Sequence, residues 1–289
     1  MPACKHFAHP ISTRPMQPAD IAAARALSQA QGWPHTEADW AVHLALGEGR
    51  VATLRDGNII GTLICWAWGS ETGTLGLIIV DPHYQGRGIG RRLMSDAMSN
   101  FGERKLQLVS TKAGMGLYLR SGFQPVGQIL QLQGQPGELQ QPLMEPRLKL
   151  RPIAAEDLHT LISLDKAATG MDRTRLLRHL SLEASGYLLE RDHHTVAFAM
   201  QRRSGKGTTI GPVIARDQSD VKLLLCKLLT GNPGFYRIDV PREAGALVRW
   251  LQAGGLREVD SGTLMQNSPI SLARAAPLHR YALASQALG

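Results

Sequence analysis

The chain has 289 residues, of which 43% are hydrophobic, 19% charged and 5% aromatic, and its net charge is +8. This length suits two compact domains, and the composition is that of a globular protein, which excludes an intrinsically disordered chain. The sequence has no uninterrupted apolar stretch of ~18 residues and no signal-peptide core near its beginning, so we predict a cytoplasmic protein that does not contact a membrane.

Positive charge is concentrated in the second half of the chain. Residues 1–146 carry a net charge of +1, and residues 147–289 carry +7. A basic surface can bind nucleic acid, an acidic protein or a polyanionic cofactor. Because aromatic residues are few and no basic block is interleaved with them, nucleic acid is the weakest of these hypotheses, and a solvated surface is the simplest interpretation.

The cysteines give no sign of a metal site or a disulfide framework. Cys4, Cys65 and Cys226 lie far apart and are odd in number, without Cys-x-x-Cys or Cys/His spacing. Cys65 and Cys226 lie in apolar runs, which predicts small core residues and not catalytic thiols. We therefore predict reduced thiols and no metal.

The first half of the chain predicts the element order β-α-α-β-β-β-α-β-α-β. A strand at 11–16 is followed by a helix with Asp20 as its cap, and Thr36 with Asp39 begins a second helix. Asp56-Gly57 predicts a hairpin turn between strands at 51–55 and 59–68. The remaining predicted elements are a strand at 74–80, a helix at 88–101, a strand at 105–109, a helix at 112–120 and a strand at 123–132.

A glycine-rich turn follows the strand that ends at Val80. Its glycines at 86, 88 and 90 would let a ligand approach and leave backbone N–H groups at a helix N-terminus free to bind a phosphate or diphosphate. The sequence lacks the Lys-Ser or Lys-Thr that follows the last glycine of a P-loop. It also lacks a glycine at 91 or 93, which a Gly-x-Gly-x-x-Gly dinucleotide-binding turn would need. The pattern that remains is Gln85-x-x-Gly88-x-Gly90.

This pattern resembles the acetyl-coenzyme A signature of the GNAT superfamily of N-acetyltransferases. Leu117-Tyr118 followed by Gly122-Phe123 resembles the second hallmark of that family, Leu-Tyr-x-x-x-Gly-Phe, in the expected order. The resemblance implies an α/β fold with a mixed, mostly antiparallel sheet, in which two parallel neighbours splay apart to admit the pantetheine arm. It also implies transfer of an acetyl group from acetyl-coenzyme A to an amine by direct attack in a ternary complex.

The resemblance also implies which residues bind the cofactor. N–H groups of the turn would hold the diphosphate, and the preceding strand would pair with the pantetheine amides and polarise the thioester carbonyl. The implied residues are Ile78, Ile79, Val80, Gln85, Gly86, Arg87, Gly88, Ile89, Gly90, Arg91, Thr111 and Tyr118. Thr111 stands where relatives often carry Asn, and this departure leaves its contact open.

For catalysis, Tyr118 stands where many relatives carry a tyrosine that protonates the leaving thiolate. A phenol with a pKa of about 10 suits that role, although the ring could instead only pack beside the sulfur. Asp81, at the end of the strand, is the first candidate for a general base, with Glu71, His83 and His35 as alternatives. Relatives often use a water chain with no dedicated carboxylate, so the base stays open.

Residues for acceptor binding are less sharply indicated. Trp33 lies in a loop between Gly32 and Pro34, which predicts a pocket wall, whereas Trp40, Trp66 and Trp68 are candidates for the core. In the second half, Asp165, Asp172 and Arg173 could reach the acceptor. A structural ion pair is the alternative use of Asp172 and Arg173.

The second half resembles a repeat of the first. Arg151-Pro152 followed by Asp157 repeats Arg14-Pro15 followed by Asp20, and the predicted elements continue in the same order to a last strand near 256–266. Residues 133–146, rich in Gln, Pro and Gly, predict a linker between a catalytic, acetyl-coenzyme A-binding GNAT domain at 1–132 and a GNAT-like domain at 147–289 with a substrate-binding, regulatory or structural role. No Gly-x-Gly recurs between 211 and 221, so we predict that the second domain is degenerate.

Three functions follow as hypotheses. The first is acetylation of a small-molecule amine by a monomer or homodimer, with no nucleic-acid partner. The second is acetylation of an amine on a protein or peptide, for which the basic half could meet an acidic partner. The third is a non-catalytic module that senses acyl-coenzyme A.

Overall fold

The computed structural model describes residues 11–231, 233–271 and 278–289, so Cys4 lies outside the described residues. The chain forms two compact units. The first comprises the described residues up to Cys65 together with Leu77–Gly102, and the second comprises Trp66–Gly76 and Glu103–Gly289. These units do not coincide with the sequence boundaries proposed at 132 and 147, which stay a prediction. None of the described helices is both long and apolar enough to cross a membrane.

The first half of the sequence has the predicted order of helices and strands. The elements are β1 (Ser12–Pro15), α1 (Ile21–Ala30), α2 (Glu37–Leu46), β2 (Glu48–Thr53), β3 (Ile59–Trp68), β4 (Thr72–Val80), α3 (Ile89–Phe101), β5 (Lys105–Ser110), α4 (Met115–Arg120) and β6 (Gln124–Gly134). Gln133 and Gly134, assigned to the linker from the sequence, belong to β6, and Leu139 within the same stretch is buried.

The second half repeats this order and adds one strand that the sequence did not predict. The elements are β7 (Leu148–Pro152), α5 (Leu158–Thr169), α6 (Thr174–Glu183), β8 (Ser185–Arg191), β9 (His194–Ser204), β10 (Gly207–Ala215), α7 (Gln218–Leu229), β11 (Tyr236–Pro241), α8 (Gly245–Ala253), β12 (Arg257–Gln266) and β13 (His279–Ala282). The unpredicted strand is β13. The α/β fold class and the repeat are confirmed.

Each half begins with the same ion pair. Arg14 donates to both carboxylate oxygens of Asp20 at 2.7 and 2.9 Å, and Arg151 donates to both oxygens of Asp157 at 2.7 Å each. These hydrogen bonds from arginine lower the pKa of both aspartates. The sequence repeat is therefore also a repeat of local structure, in which an arginine on the first strand fixes the turn that begins the first helix.

In the first unit, β1, β2 and the first part of β3 form an antiparallel sheet. Helix α3 packs on this sheet through one face, whose buried residues are Ile89, Leu93, Met94, Ala97 and Phe101. The helix lies close to the strands at Gly61, where an added Cβ would be 3.1 Å from the carbonyl oxygen of Ile79 and 3.2 Å from a methyl group of Leu93. This packing fixes the start of α3 relative to the end of β4.

In the second unit, the strands lie in the order β4-β5-β12-β6-β11-β10-β9-β8-β7, and β13 pairs with β10. The pairs β4–β5 and β10–β11 are parallel. Strand β6, from the first half of the sequence, pairs on both sides with second-half strands, and β12 pairs with β5 and β6. Because these backbone groups satisfy each other across the halves, β6 cannot complete its hydrogen bonding without the second half of the chain.

Candidate active site

Strand β4 pairs in parallel with β5 through its first half. The register runs from Thr72 opposite Lys105 to Leu75 opposite Leu108. The opening between parallel neighbours that the resemblance implies stays a prediction.

Strand β4 is also irregular just beyond its last pair with β5. Leu77 has a φ of +52°, an uncommon value for a residue other than glycine. Its carbonyl oxygen accepts a hydrogen bond from the hydroxyl of Thr62 at 2.8 Å, which helps to hold this conformation. Residues in sparsely populated backbone conformations cluster at active sites and ligand clamps. We therefore treat the middle of β4 as part of the candidate site.

The loop after β4 is ordered by its own side chains. Asp81 caps a short turn by accepting the N–H of His83 at 2.9 Å, and it also lies 2.9 Å from the ring Nδ1 of His83. Gln85 donates from its amide to the carbonyl of Val80 at 3.0 Å. These bonds hold the loop against the end of β4, so that the following glycines are presented in one arrangement.

The glycine turn leaves the N-terminus of α3 available to a ligand. Gly86 and Gly88 have φ values of +74° and +77°, a conformation in which glycine carries no steric cost. Gly88 is the N-cap, and no side chain of the described residues caps this end of α3. The N–H of Arg92 makes the first helical bond, to the carbonyl of Gly88 at 3.0 Å. The N–H groups of residues 89–91 therefore have no partner within the helix, and the helix dipole favours an anion there.

Positive side chains surround this turn. Arg87 and Arg91 are exposed, and Arg87 lies over the ring of Tyr84 at 5.2 Å. Arg92 donates to the carbonyl of Ile11 at 2.5 Å. Exposed arginines beside an uncapped helix end add to its attraction for a polyanion.

The corresponding helix of the second half, α7, is closed to an anion. Asp217 is its N-cap, and its carboxylate accepts the N–H groups of Ser219 and Asp220 at 2.9 and 3.0 Å. Asp220 is 1% exposed, and burial together with Asp217 raises the pKa of its carboxyl group. A phosphate at this end would meet carboxylates in place of open N–H groups. Where the first half has Gly-x-Gly, the second half therefore has a carboxylate cap. An Asp directly before a helical pattern, as at Asp217, is the sequence signal that could have indicated this cap.

The strand pair β10–β11, equivalent in chain order to β4–β5, is also closed. Residues 208–210 of β10 pair in parallel with β11, and beyond them Val213 and Ala215 pair with Ala282 and His279 of β13. The N–H of Leu283, just after β13, donates to the carbonyl of Asp239 on β11 at 3.0 Å. The chain itself therefore occupies the opening between the two parallel strands of the second half.

Tyr118 lies on α4 and is buried. It is 7% exposed, and its ring meets that of Phe123 edge-on with centroids 6.4 Å apart. The lack of a side chain at Gly114 makes room for it, since an added Cβ would lie 2.9 Å from the Tyr118 ring. Burial raises the pKa of the phenol, so the side chain stays neutral and keeps a proton to donate.

Thr111 and Asp81, two other candidates, make hydrogen bonds that shape the local structure. Thr111 accepts the N–H of Gly114 at its hydroxyl at 3.2 Å and so shapes the turn before α4. The N–H of His83, followed by its ring, lowers the pKa of Asp81 against the opposing effect of burial. A carboxylate with a lowered pKa is a weaker base, so these surroundings favour the capping role of Asp81. Its role as general base stays a prediction.

The tryptophans separate as the sequence indicated. Trp40, Trp66 and Trp68 are buried, which confirms them as core residues. Trp33 is partly exposed and meets His35 edge-on at 6.0 Å. Trp33 therefore remains the tryptophan available to a ligand within the part of the chain that the structure describes.

Asp172 and Arg173 do not pair with each other. Asp172 accepts hydrogen bonds from the N–H and the hydroxyl of Thr174, the first residue of α6, at 3.2 and 2.6 Å. Arg173, which is 1% exposed, donates to both oxygens of Asp165 at 2.9 and 2.5 Å and to the carbonyls of Leu288 and Gly289. The ion pair expected of Arg173 is therefore made with Asp165, and its guanidinium is engaged inside the protein.

Cys65 and Cys226 are buried free thiols, as expected, and burial raises the pKa of both. Among the described residues, no group of three His, Cys, Asp or Glu side chains is placed to hold a metal ion.

Comparison with known proteins agrees with this geometry. Residues 47–125 and 161–277 each match a model described as an acetyltransferase (GNAT) domain. The chain is 28% identical over 266 residues to YitH of Bacillus subtilis (strain 168), named as an uncharacterized N-acetyltransferase, and the match covers 89% of this chain and 91% of that protein.

Solved structures share the fold over nearly the whole chain. A candidate acetyltransferase from Pyrococcus horikoshii superposes with a TM-score of 0.78 at 20% identity, covering 98% of this chain and 97% of that one. A tandem GNAT protein from the clavulanic acid biosynthesis pathway superposes with a TM-score of 0.63 at 13% identity, covering 91% and 100%. The two matched domains together span more than half of the chain, so the chain belongs to the GNAT family of acyltransferases and carries two GNAT domains in tandem.

Proposed function

We propose that the protein transfers an acetyl group from acetyl-coenzyme A to the primary amine of a small molecule. The observation that carries this proposal is the uncapped N-terminus of α3, which follows two glycines in the left-handed conformation within the GNAT domain matched at 47–125. Such a helix end suits a diphosphate because its N–H groups and dipole both favour negative charge.

In this proposal the donor is bound mainly by backbone groups. The N–H groups of residues 85–91 bind the diphosphate, and Arg87 and Arg91 add positive charge. The backbone of Ile78, Ile79 and Val80 pairs with the pantetheine amides, as an added strand would. The left-handed backbone of Leu77, directly before these residues, supports this, because residues in such conformations cluster at ligand clamps. Thr111 contributes from the turn before α4.

The chemical step is attack of a neutral amine on the thioester carbonyl. The new C–N bond forms as the C–S bond breaks, and a backbone N–H of β4 stabilises the negative charge on the carbonyl oxygen. Tyr118 gives its proton to the departing thiolate, and the attacking nitrogen releases a proton to water or to Asp81. The phenol of Tyr118 is protonated at neutral pH and so has a proton to donate, and burial raises its pKa, which makes it a weaker acid than a free phenol.

We further propose a single donor site, in the first half of the chain. The Asp217 cap on α7 and the pairing of β13 with β10 both oppose binding of a second acyl-coenzyme A in the second half. The domain at 147–289 then contributes either to acceptor binding or to the sheet in which strands from the two halves of the sequence pair with each other.

Titration calorimetry with acetyl-coenzyme A tests donor binding, and we expect a stoichiometry of one. A panel of primary amines, containing alkylamines, diamines, amino acids, amino sugars and lysine peptides, is then screened for release of free thiol. Thiol release with small amines and not with peptides supports the proposal. No binding of acetyl-coenzyme A would refute it, and activity on peptides alone would favour a protein acceptor.

A sensor that binds acyl-coenzyme A without turning it over is the second candidate. The lowered pKa of Asp81 favours it, because the structure offers no strong base at that position. Donor binding with no thiol release across the panel would support the sensor, whereas release with any amine would exclude it.

A further inference from the structure

The chain after β13 crosses the sheet of the second unit. Leu283 bonds to β11 through the carbonyl of Asp239. Gln286 then lies 3.4 Å from the side chain of Gln131 on β6, and its amide oxygen is 3.8 Å from where a Cβ on Gly262 of β12 would be. Residues 283–289, here called the crossing segment, therefore pass over β11, β6 and β12 in turn.

The crossing segment ends against β4 and β5. An added Cβ on Gly76 of β4 would lie 2.9 Å from the Cβ of Ala287 and 3.2 Å from the ring of Trp66. Gly289 lies beside Thr74 and Gln107, each 3.3 to 3.5 Å from an added Cβ at that position. Ala287 therefore packs where a side chain on residue 76 would lie, and this contact requires glycine at that position.

A buried ion pair fixes the end of the segment. Arg173, held by Asp165, donates to the carbonyls of Leu288 and Gly289. Leu288 is 1% exposed, and its N–H donates to the hydroxyl of Ser285 at 3.1 Å. Because the guanidinium binds main-chain carbonyls, Arg173 holds the segment whatever side chains it carries.

The point of contact on β4 is next to the proposed reaction. Gly76 is the first residue beyond the last β4–β5 pair, it precedes the strained Leu77, and it lies two residues before Ile78. An amine that attacks a thioester held along residues 78–80 must approach this part of β4. Ala287 is partly exposed and ends in a methyl group, so it gives this place a small apolar and uncharged surface, whereas Trp66 beside it is fully buried.

We propose that residues 286–289 form part of the acceptor-binding surface and that Ala287 limits the size of the apolar group next to the acceptor amine. This inference rests on the proposed function and gives the second half of the chain a part in acceptor choice. Arg173 is a positioning residue in this scheme, since it acts on the acceptor only through the segment.

The test compares Ala287→Gly with Ala284→Gly. The two substitutions make the same change in the same segment, but Ala284 is fully buried beside Gly211 and its side chain lines no accessible surface. The acceptors are the smallest and the bulkiest alkylamine of the panel that the wild type acetylates. We expect Ala287→Gly to shift the ratio of kcat/KM toward the bulkier amine by about tenfold, as one methyl group in a pocket allows. Ala284→Gly should leave that ratio unchanged.

Two further measurements keep the outcomes distinct. The affinity for acetyl-coenzyme A should be the same in both variants and the wild type, because residues 286–289 bind no donor group. In the wild type, amide hydrogen exchange of residues 286–289 should slow when coenzyme A and an accepted amine are both present, and not with coenzyme A alone.

Three results would each overturn the inference and leave the proposed function intact. They are an unchanged kcat/KM ratio between the two amines in Ala287→Gly, an equal shift of that ratio in Ala284→Gly, and amide hydrogen exchange of residues 286–289 that is the same with and without the amine. Failure of the wild type to bind acetyl-coenzyme A would instead remove the proposed function itself.

Discussion

Replacing Gly88 by Asp or by Asn tests the donor site with a single charge. Gly88 is exposed with a φ of +77°, and no heavy atom of the described residues lies within 4 Å of an added Cβ. Asn and Asp both visit this conformation more readily than other residues with side chains, so the two variants carry a similar strain. They differ in charge, and Asp would reproduce at α3 the carboxylate cap that Asp217 provides at α7.

The size of the effect follows from the distance between charges. Two like charges 4 Å apart repel by about 1 kcal/mol in water and by about 4 kcal/mol at the effective dielectric constant of a protein surface. Because Gly88 is exposed, we expect Gly88→Asp to weaken binding of coenzyme A relative to Gly88→Asn by about 1 to 3 kcal/mol, which is on the order of tenfold to a hundredfold in Kd.

Titration calorimetry with coenzyme A measures this difference at low and high salt, and we expect salt to reduce it by screening. Gly57→Asp is the matched control, since Gly57 is exposed in the hairpin turn with a φ of +87° and open space around an added Cβ. It should leave Kd unchanged. Equal Kd values for Gly88→Asp and Gly88→Asn at low salt would refute an anion site at this helix end.

Three further changes test other parts of the structure. Tyr118→Phe should lower kcat by about 10²-fold or more with little change in the KM for acetyl-coenzyme A, as steady-state kinetics can measure, and an unchanged kcat would leave the ring a packing role only. Asp165→Ala should cost about 3 to 5 kcal/mol in urea unfolding because it leaves Arg173 buried without its carboxylate partner; a cost below about 1 kcal/mol would mean that the pair does not hold the fold. Asp20 and Asp157 have lowered pKa values in the folded state, so their contribution to stability is complete above the unfolded carboxyl pKa of about 3.9 and is lost as pH falls through the lower folded values. Unfolding midpoints between pH 6 and pH 2 should therefore fall less steeply for Asp20→Asn than for the wild type, and parallel curves would contradict this linkage.

The local parts of the site could be predicted from the sequence. The strand, the glycine turn and α3 are consecutive in the chain, and glycine at 86 and 88 meets a conformational need that neighbouring residues create. Asp20 and Asp157 each lie six residues after their arginine, so the repeated ion pair is also a short-range feature. Such features depend on backbone preferences and hydrogen bonds within one turn, which a sequence states directly.

The sequence did not indicate β13. His279–Ala282 is short, lacks an apolar pattern, and pairs with a strand more than sixty residues earlier in the chain. Nor did it indicate that β6 would lie between β12 and β11, because pairing partners are chosen by the whole sheet and not by the strand alone.

The amino-acid sequence by itself determined the family, the order of elements and the uncapped helix end after the glycine turn, since each depends on residues close together in the chain. Only the tertiary structure decided that the second half closes its own opening with β13, that Arg173 pairs with Asp165, and that Ala287 reaches Gly76. These are contacts between residues far apart in sequence, and their energy comes from packing and hydrogen bonds that exist only once the sheet has formed.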